Sequence, residues 1–220
     1  MRRVGIFGGS FNPIHIGHLR AAEEVREAQS LHRVLFVPAA IPPHKSRRYL
    51  ASPAQRLEMV RLAISGNRAF AVSDIELQRR GRSYSIDTLR ELRARFPDWQ
   101  LHFIVGLDAF AEIDTWREFE GLFELSHFVV VSRPGIQVRP LRQLLPVVTR
   151  NAFWYAPDGL TLVHRSGHTV VFQQITGFDV SATAIRQALL QGRSIRYLVP
   201  KPVERYILRH GLYQGRSGVS

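Results

Sequence analysis

The chain has no cysteine, which excludes disulfides, thiolate nucleophiles and cysteine-held metal sites. Lysine is nearly absent as well: of 30 basic residues only Lys45 and Lys201 are lysine. So heavy an arginine bias points to genome composition more than to choice of partner, and it makes the survival of Lys45 informative. No apolar run approaches the ~20 residues that span a bilayer, so no membrane partner is expected. Met1-Arg2-Arg3 leads straight into a strand-like run rather than a signal-peptide core, and a cytoplasmic location is the expectation. Acidic residues are few, 18 against 30 basic, for a net charge of +12. The basic residues are scattered, without a run or tail, so the charge suits small polyanionic substrates as well as nucleic acid and decides neither. There is no internal repeat or low-complexity segment. At 220 residues, a single domain over 1–220 with a sizeable core follows.

The most informative stretch is Gly8-Gly9-Ser10-Phe11-Asn12-Pro13-Ile14-His15-Ile16-Gly17-His18. Before it, Val4 to Phe7 reads as a buried strand; after it, Leu19 to Ala28 is a run of good helix formers. Strand, glycine turn and helix together present backbone N–H groups and a positive helix end to an anion. Gly8 and Gly9 let a ligand approach the backbone, Ser10 adds a hydroxyl, and Pro13 stiffens the loop. His15 and His18 share a helix face, with Cβ atoms about 5–6 Å apart. A polar cap and a zinc pair are the competing uses. Metal pairs on helices sit at i, i+4 with a third ligand, so the spacing favours donation to phosphoryl oxygens, and no protein-held metal is expected.

Further along, Arg33 to Val37 reads as a second buried strand running into Pro38-Ala39-Ala40-Ile41-Pro42-Pro43-His44-Lys45-Ser46, at the edge where open α/β sheets bind ligands. There Lys45 is a point charge able to follow a phosphate, or plain surface. Ser52-Pro53 caps a helix to about Ser65, and Phe70 to Ile75 reads as a strand. Ser83-Tyr84-Ser85 opens a helix ending near Phe96, as an ordinary cap or a second anion site. Leu101 to Val105 is a strand followed by Gly106-Leu107-Asp108, where Asp108 either accepts from ribose hydroxyls or caps the next helix. Trp116 is a core aromatic unless it faces a ligand. His127 to Ser132 is a strand ending at Arg133, which balances an anionic substrate or sits exposed in a turn. Leu141 to Val148 reads as a short helix, with a hairpin or two short strands over Leu160 to His164 and Thr169 to Ile175. No chemistry is assigned to residues 136–178. In Asp179-Val180-Ser181-Ala182-Thr183-Ala184-Ile185-Arg186 two hydroxyls and an arginine at a helix start repeat the phosphate-binding logic, before a last helix from Pro202 to about His210.

The opening run resembles the Gly-x-Phe-x-Pro-x-His-x-Gly-His signature of the nucleotidyltransferases that share a fold with class I aminoacyl-tRNA synthetases. Pro42-Pro43-His44-Lys45, Ser83-Tyr84-Ser85-Ile86-Asp87-Thr88-Leu89 and Gly106-Leu107-Asp108 with Trp116 are similar to motifs of the bacterial nicotinate-nucleotide adenylyltransferases. Ser181 to Arg186 resembles the Ile-Ser-Ser-Thr-x-Ile-Arg motif of the same superfamily, with Ala182 replacing its second serine. The resemblance implies an α/β fold: a Rossmann-like doubly wound parallel sheet with a small C-terminal helical extension, about 181–213. It implies adenylyl transfer from ATP to nicotinate mononucleotide, a step of NAD biosynthesis, with Mg2+ arriving with ATP. Gly8, Gly9, Ser10, Phe11, His18, Gly106, Asp108, Ser181, Thr183 and Arg186 would then serve ATP. His44, Lys45, Tyr84, Ser85, Trp116 and Arg133 would serve the mononucleotide, and His15, His18 and Lys45 the chemistry. The alternatives are the sister pantetheine-phosphate enzyme, which lacks the middle motifs in this arrangement, and an RNA-binding module with a synthetase-like tetrapeptide. No aromatic-basic stacking surface supports the latter, so no nucleic-acid partner is expected. No residue pattern specifies an oligomeric state.

Overall fold

The computed structural model describes residues 1–41, 50–79, 81–132 and 140–214. Strand β1 (Arg2–Gly9), helix α1 (Ile16–Ala28) and strand β2 (Arg33–Pro38) form the anticipated β-α-β unit, with β1 and β2 parallel. Helix α2 (Pro53–Ile64) starts where sequence placed it: Ser52 Oγ accepts from Gln55 N at 3.2 Å and Gln55 Oε1 accepts from Ser52 N at 2.9 Å. Such a reciprocal cap is worth about 1 kcal/mol. Strand β3 (Phe70–Val72) stops short of the expected Ile75. The Ser73 hydroxyl accepts from Ile75 N at 3.3 Å, and the Asp74 carbonyl accepts from Leu77 and Gln78 N, so local turn bonds replace the ladder.

Helix α3 (Ser85–Arg95), strand β4 (Trp99–Gly106), helix α4 (Leu107–Ala111), a 3₁₀ turn over Ile113–Thr115, helix α5 (Phe119–Leu125) and strand β5 (His127–Ser132) follow. Then come helix α6 (Leu141–Leu144), a 3₁₀ stretch over Val147–Ala152, strands β6 (Phe153–Tyr155), β7 (Leu162–His164) and β8 (Thr169–Gln174), and helices α7 (Ala182–Leu190) and α8 (Lys201–Arg209). The strands form one sheet in the order β3-β2-β1-β4-β5-β8-β7-β6. From β3 to β8 neighbours run parallel, as anticipated; β7 and β6 add an antiparallel edge. The β7–β8 connection turns through Gly167 at φ +87°, a conformation that favours glycine. Among the described residues no helix is long and apolar enough to cross a membrane.

Side-chain alternation explains the near-continuous apolar strands, because both sheet faces are covered. Phe7, Val34, Phe36, Ile104, Val129 and Val131 pack toward α1, α2, α7 and α8. Val4, Ile6, Leu35, Phe103, Phe128 and Val130 pack toward α3, α4 and α5. The ends of β1 and β4 are adjacent, with the chain leaving β1 toward β2 on one side and arriving at β4 on the other. That is the switch point at which such sheets bind ligands.

At the opposite end of the parallel strands His102 stacks on His127, ring centroids 4.7 Å apart, and His127 meets His168 at 5.0 Å. His127 Nδ1 accepts from Thr169 N at 3.0 Å. Burial first, then the charges of His127, Arg3 and His168, push His102 down to about 3; burial and His168 push His127 down to about 4. Both rings therefore stay neutral when folded, whereas the unfolded chain protonates them near the ordinary 6.5. The unfolded state thus binds more protons as pH falls, and stability should drop from pH 6.5 down to about 4 by about 1.4 kcal/mol per pH unit for each group. Urea midpoints taken above that window and at about pH 5 check this; a midpoint unmoved by acid would remove the histidines from the balance.

Candidate active site

Two cavities open at the switch point. The first, about 730 Å³, is lined by Ser10, Phe11, His15, Gly17, His18, Gly106, Asp108, Ser181, Thr183 and Arg186 among others. The second, about 590 Å³, is lined by Gly8, Gly9, Ser10, Tyr84, Ser85, Gly106, Trp116 and Arg117 among others. Phe7, Ser10 and Gly106 belong to both walls. The turns after β1 and β4 are thus the partition between two adjoining hollows.

In the first cavity the histidines sit at the start of α1, with His15 as its N-cap residue in extended conformation. Their rings meet at 3.7 Å between centroids, tilted 32° to each other. His15 N donates to His18 Nδ1 at 3.2 Å, so in the neutral ring the proton resides on Nε2. Edge contacts with Phe7 (6.2 Å) and Phe11 (5.2 Å) fix the plane of the His18 ring. Phe11 lies at φ +42° and is 1 % exposed, so its ring is packed into the core where it borders the cavity. A Cβ on Gly9 would come within 3.0 Å of that ring, and one on Gly17 within 3.0 Å of Val180 Cγ1 and 3.2 Å of His15 Nδ1. These glycines therefore serve packing between protein segments; Gly8, with nothing nearer than 4.0 Å, has the open approach that was anticipated for the turn.

Helix α7 comes to the same place from the far end of the chain. Ser181 caps it, Oγ accepting from Ala184 N at 3.1 Å. Arg186 Nη2 donates to Thr183 Oγ1 at 3.1 Å, and its Nη1 donates to the carbonyl of Asn12 at 2.7 Å. The two glycine- and hydroxyl-bearing motifs, 174 residues apart, are joined by a direct hydrogen bond.

The second cavity has a different character. The start of α3 presents Ser83, Tyr84 and Ser85, and Trp116 shares the lining, its ring 6.1 Å edge-to-face from Phe103. The Arg117 guanidinium lies 5.0 Å over the Tyr84 ring. Glu76 forms part of the floor, nearly buried; Thr88 Oγ1 donates to its Oε1 at 2.6 Å. Burial pushes the Glu76 carboxyl up, against the pull of Thr88, Ser83 and the Arg79 and Arg56 charges.

The cytidylyltransferase-like family model matches residues 6–188. A protein named "Probable nicotinate-nucleotide adenylyltransferase" from Citrifermentans bemidjiense is 53% identical over 211 residues, covering 96% of this chain and 98% of the relative. One of the same name from Syntrophotalea carbinolica is 49% identical over 215 residues, covering 98% and 99%. The chain belongs to the cytidylyltransferase-like family, among its nicotinate-nucleotide adenylyltransferases. The fold agrees with the solved Plasmodium falciparum nicotinic acid mononucleotide adenylyltransferase complexed with NaAD, at TM-score 0.74 and 18% identity over 97% of this chain and 98% of that one. The same protein complexed with APC gives 0.72 at 17% identity, over 97% and 98%.

In this cytidylyltransferase-like chain the structure brings together His15, His18, Asp108, Ser181, Thr183 and Arg186 in one cavity, and Tyr84, Ser85 and Trp116 in its neighbour. His44, Lys45 and Arg133 lie outside the described residues. Sequence reasoning passed over Asn12, whose Oδ1 accepts from Ala51 N at 3.0 Å and from the Tyr213 hydroxyl at 2.6 Å. Burial holds that hydroxyl well above its ordinary range, so it remains a donor. The turn over Ile175 to Phe178, in a stretch given no chemistry, also lines the first cavity.

Proposed function

We propose that this chain transfers the adenylyl group of ATP to nicotinate mononucleotide, giving nicotinate adenine dinucleotide and pyrophosphate, a step of NAD biosynthesis. The observation that carries the reading is the shared wall: a cavity with paired imidazoles and two helix N-termini adjoins one lined by serines and aromatic rings, and Ser10 and Gly106 border both. Two nucleotides in adjoining hollows can place the 5′-phosphate of one behind the α-phosphorus of the other. Direct in-line displacement then needs positioning and charge neutralisation more than a covalent nucleophile.

In this reading ATP lies in the first cavity. The starts of α1 and α7, with Ser181, Thr183 and Arg186, hold the phosphates, and Asp108 accepts from ribose hydroxyls. His18 donates from Nε2 to phosphoryl oxygens that gain charge, with His15 packed against it as second donor. Trp116, Tyr84 and Ser85 hold the pyridine nucleotide, and His44, Lys45 and Arg133 are proposed to meet its charges. Magnesium carried by ATP fits this donor set. Among the described residues no group of three or more His, Cys, Asp or Glu is arranged for a metal, and Asp108 is a carboxylate on the phosphate cavity. A magnesium ion held mostly by phosphates and water would neutralise triphosphate charge.

The test is pyrophosphate release with nicotinate mononucleotide as acceptor, and phosphopantetheine as control acceptor, in two variants. Trp116→Ala should raise the mononucleotide KM about tenfold and leave the ATP KM nearly unchanged, as loss of an aromatic contact does. Arg186→Ala should do the reverse, raising the ATP KM about tenfold through a lost charge-assisted contact. A reversed pattern would mean the cavities are assigned the wrong way round, and turnover with phosphopantetheine alone would overturn the substrate.

A further inference from the structure

Helix α2 carries one residue that its apolar pattern does not predict. Arg56 lies on the same stripe as Val60 and Ile64 and is 0 % exposed. Its guanidinium is spent on three backbone carbonyls from three places in the chain. Nε donates to Ala51 at 3.0 Å, Nη1 to Ser10 at 2.8 Å and Nη2 to Ala40 at 3.0 Å. Removing a cation from water is costly, and an apolar side chain of similar size normally serves a core better. Burial and this unusual set of partners call for a use beyond packing.

The three carbonyls belong to the parts that must agree for two nucleotides to meet. Ser10 borders both cavities. Because a peptide is planar and trans, holding the Ser10 carbonyl toward α2 turns the Phe11 N–H the other way. Ala40 sits just past β2, and its own N–H donates to Ser83 Oγ at 2.9 Å, next to the start of α3 in the second cavity. Ala51 is tied through its N–H to Asn12 Oδ1, and Asn12 receives Arg186 on its carbonyl. A planar fork of five N–H donors can span three separate carbonyls at once, which a lysine ammonium on a flexible stem does far less well.

We propose that Arg56 is a positioning residue that locks the phosphate turn after β1 to the start of α3, and so sets the alignment of the two substrate cavities across their common wall. It touches neither cavity directly; it acts through Ser10, Ala40 and Asn12. The inference rests on the adenylyl-transfer reading, so turnover of the wild-type chain is established first; if the wild type releases no pyrophosphate, the reading fails and not the role of Arg56.

The experiment compares Arg56→Lys and Arg56→Ala with wild type in the full chain, measuring kcat and both KM values alongside far-UV circular dichroism and a thermal transition. Arg56→Lys should fold, with kcat down about tenfold and the KM for ATP and for the mononucleotide both raised, since both cavities lose alignment. In Arg56→Ala added methylguanidinium should restore several-fold of the lost kcat, and methylammonium should not. A folded Arg56→Lys with wild-type kcat and both KM values overturns the proposal. So does loss of activity that merely follows the unfolded fraction. If Arg56→Ala does not fold, the lysine variant alone decides.

Discussion

Replacing His18 by alanine is expected to lower turnover about a hundredfold or more, as removal of a preorganised transition-state donor does. The ring is held from three sides: the His15 backbone N–H on Nδ1, Phe7 and Phe11 against its edges, and the tilted His15 ring with its centroid 3.7 Å away. A donor fixed in place before the reaction costs no reorganisation when charge moves onto the phosphoryl oxygens. Because His18 is half-buried at the start of α1 rather than in the interior, the substitution should leave the fold intact. Single-turnover rates with both substrates saturating separate this effect from weakened binding. A folded variant with an undiminished chemical step would remove His18 from the mechanism.

Phe128→Ala should be a severely damaging core substitution, lowering unfolding free energy by about 3–5 kcal/mol. Phe128 is 0 % exposed and packs against Phe103, Phe110 and Phe123 at centroid distances of 5.4, 6.0 and 5.0 Å. Neighbours in a close-packed interior refill a hole of that size only in part. Phe103 in turn supports Trp116 edge-on, so the mononucleotide KM should rise alongside the loss of stability. Urea denaturation followed by circular dichroism measures the first effect; a loss under about 1 kcal/mol would show that the cluster repacks.

Sequence was a good guide wherever a local rule has a direct structural cause. Ser52-Pro53 marked a helix start because hydroxyl caps and first-turn prolines act within four residues. His15, His18, Ser181, Thr183 and Arg186 stood out as candidates because phosphate binding favours hydroxyls, imidazoles and arginines at helix starts, and the fold places these five in one cavity. What escaped notice depends on contacts distant along the chain. Arg56 drew no reading, because its partners at Ser10 and Ala40 lie 46 and 16 residues away. Tyr213 reaches Asn12 across 201 residues, a pairing that neither residue's neighbours reveal. Helix α5 follows a non-glycine residue at φ +50°, with no side-chain cap to announce it. The glycines taught a subtler lesson. Of the two glycines expected to admit a ligand, Gly8 has open space, whereas a Cβ on Gly9 would run into the Phe11 ring.

The common wall at Ser10 and Gly106 also shapes how a catalytic cycle must finish. On the proposed reaction the two guests leave their hollows as one longer molecule lying over the divide, and until it departs neither newcomer finds a vacant berth. Such a linked occupant draws grip from both sides simultaneously. A compound that joins a purine nucleotide to a pyridine one by a bridge of the right reach would inherit that double hold without paying twice for its own immobilisation.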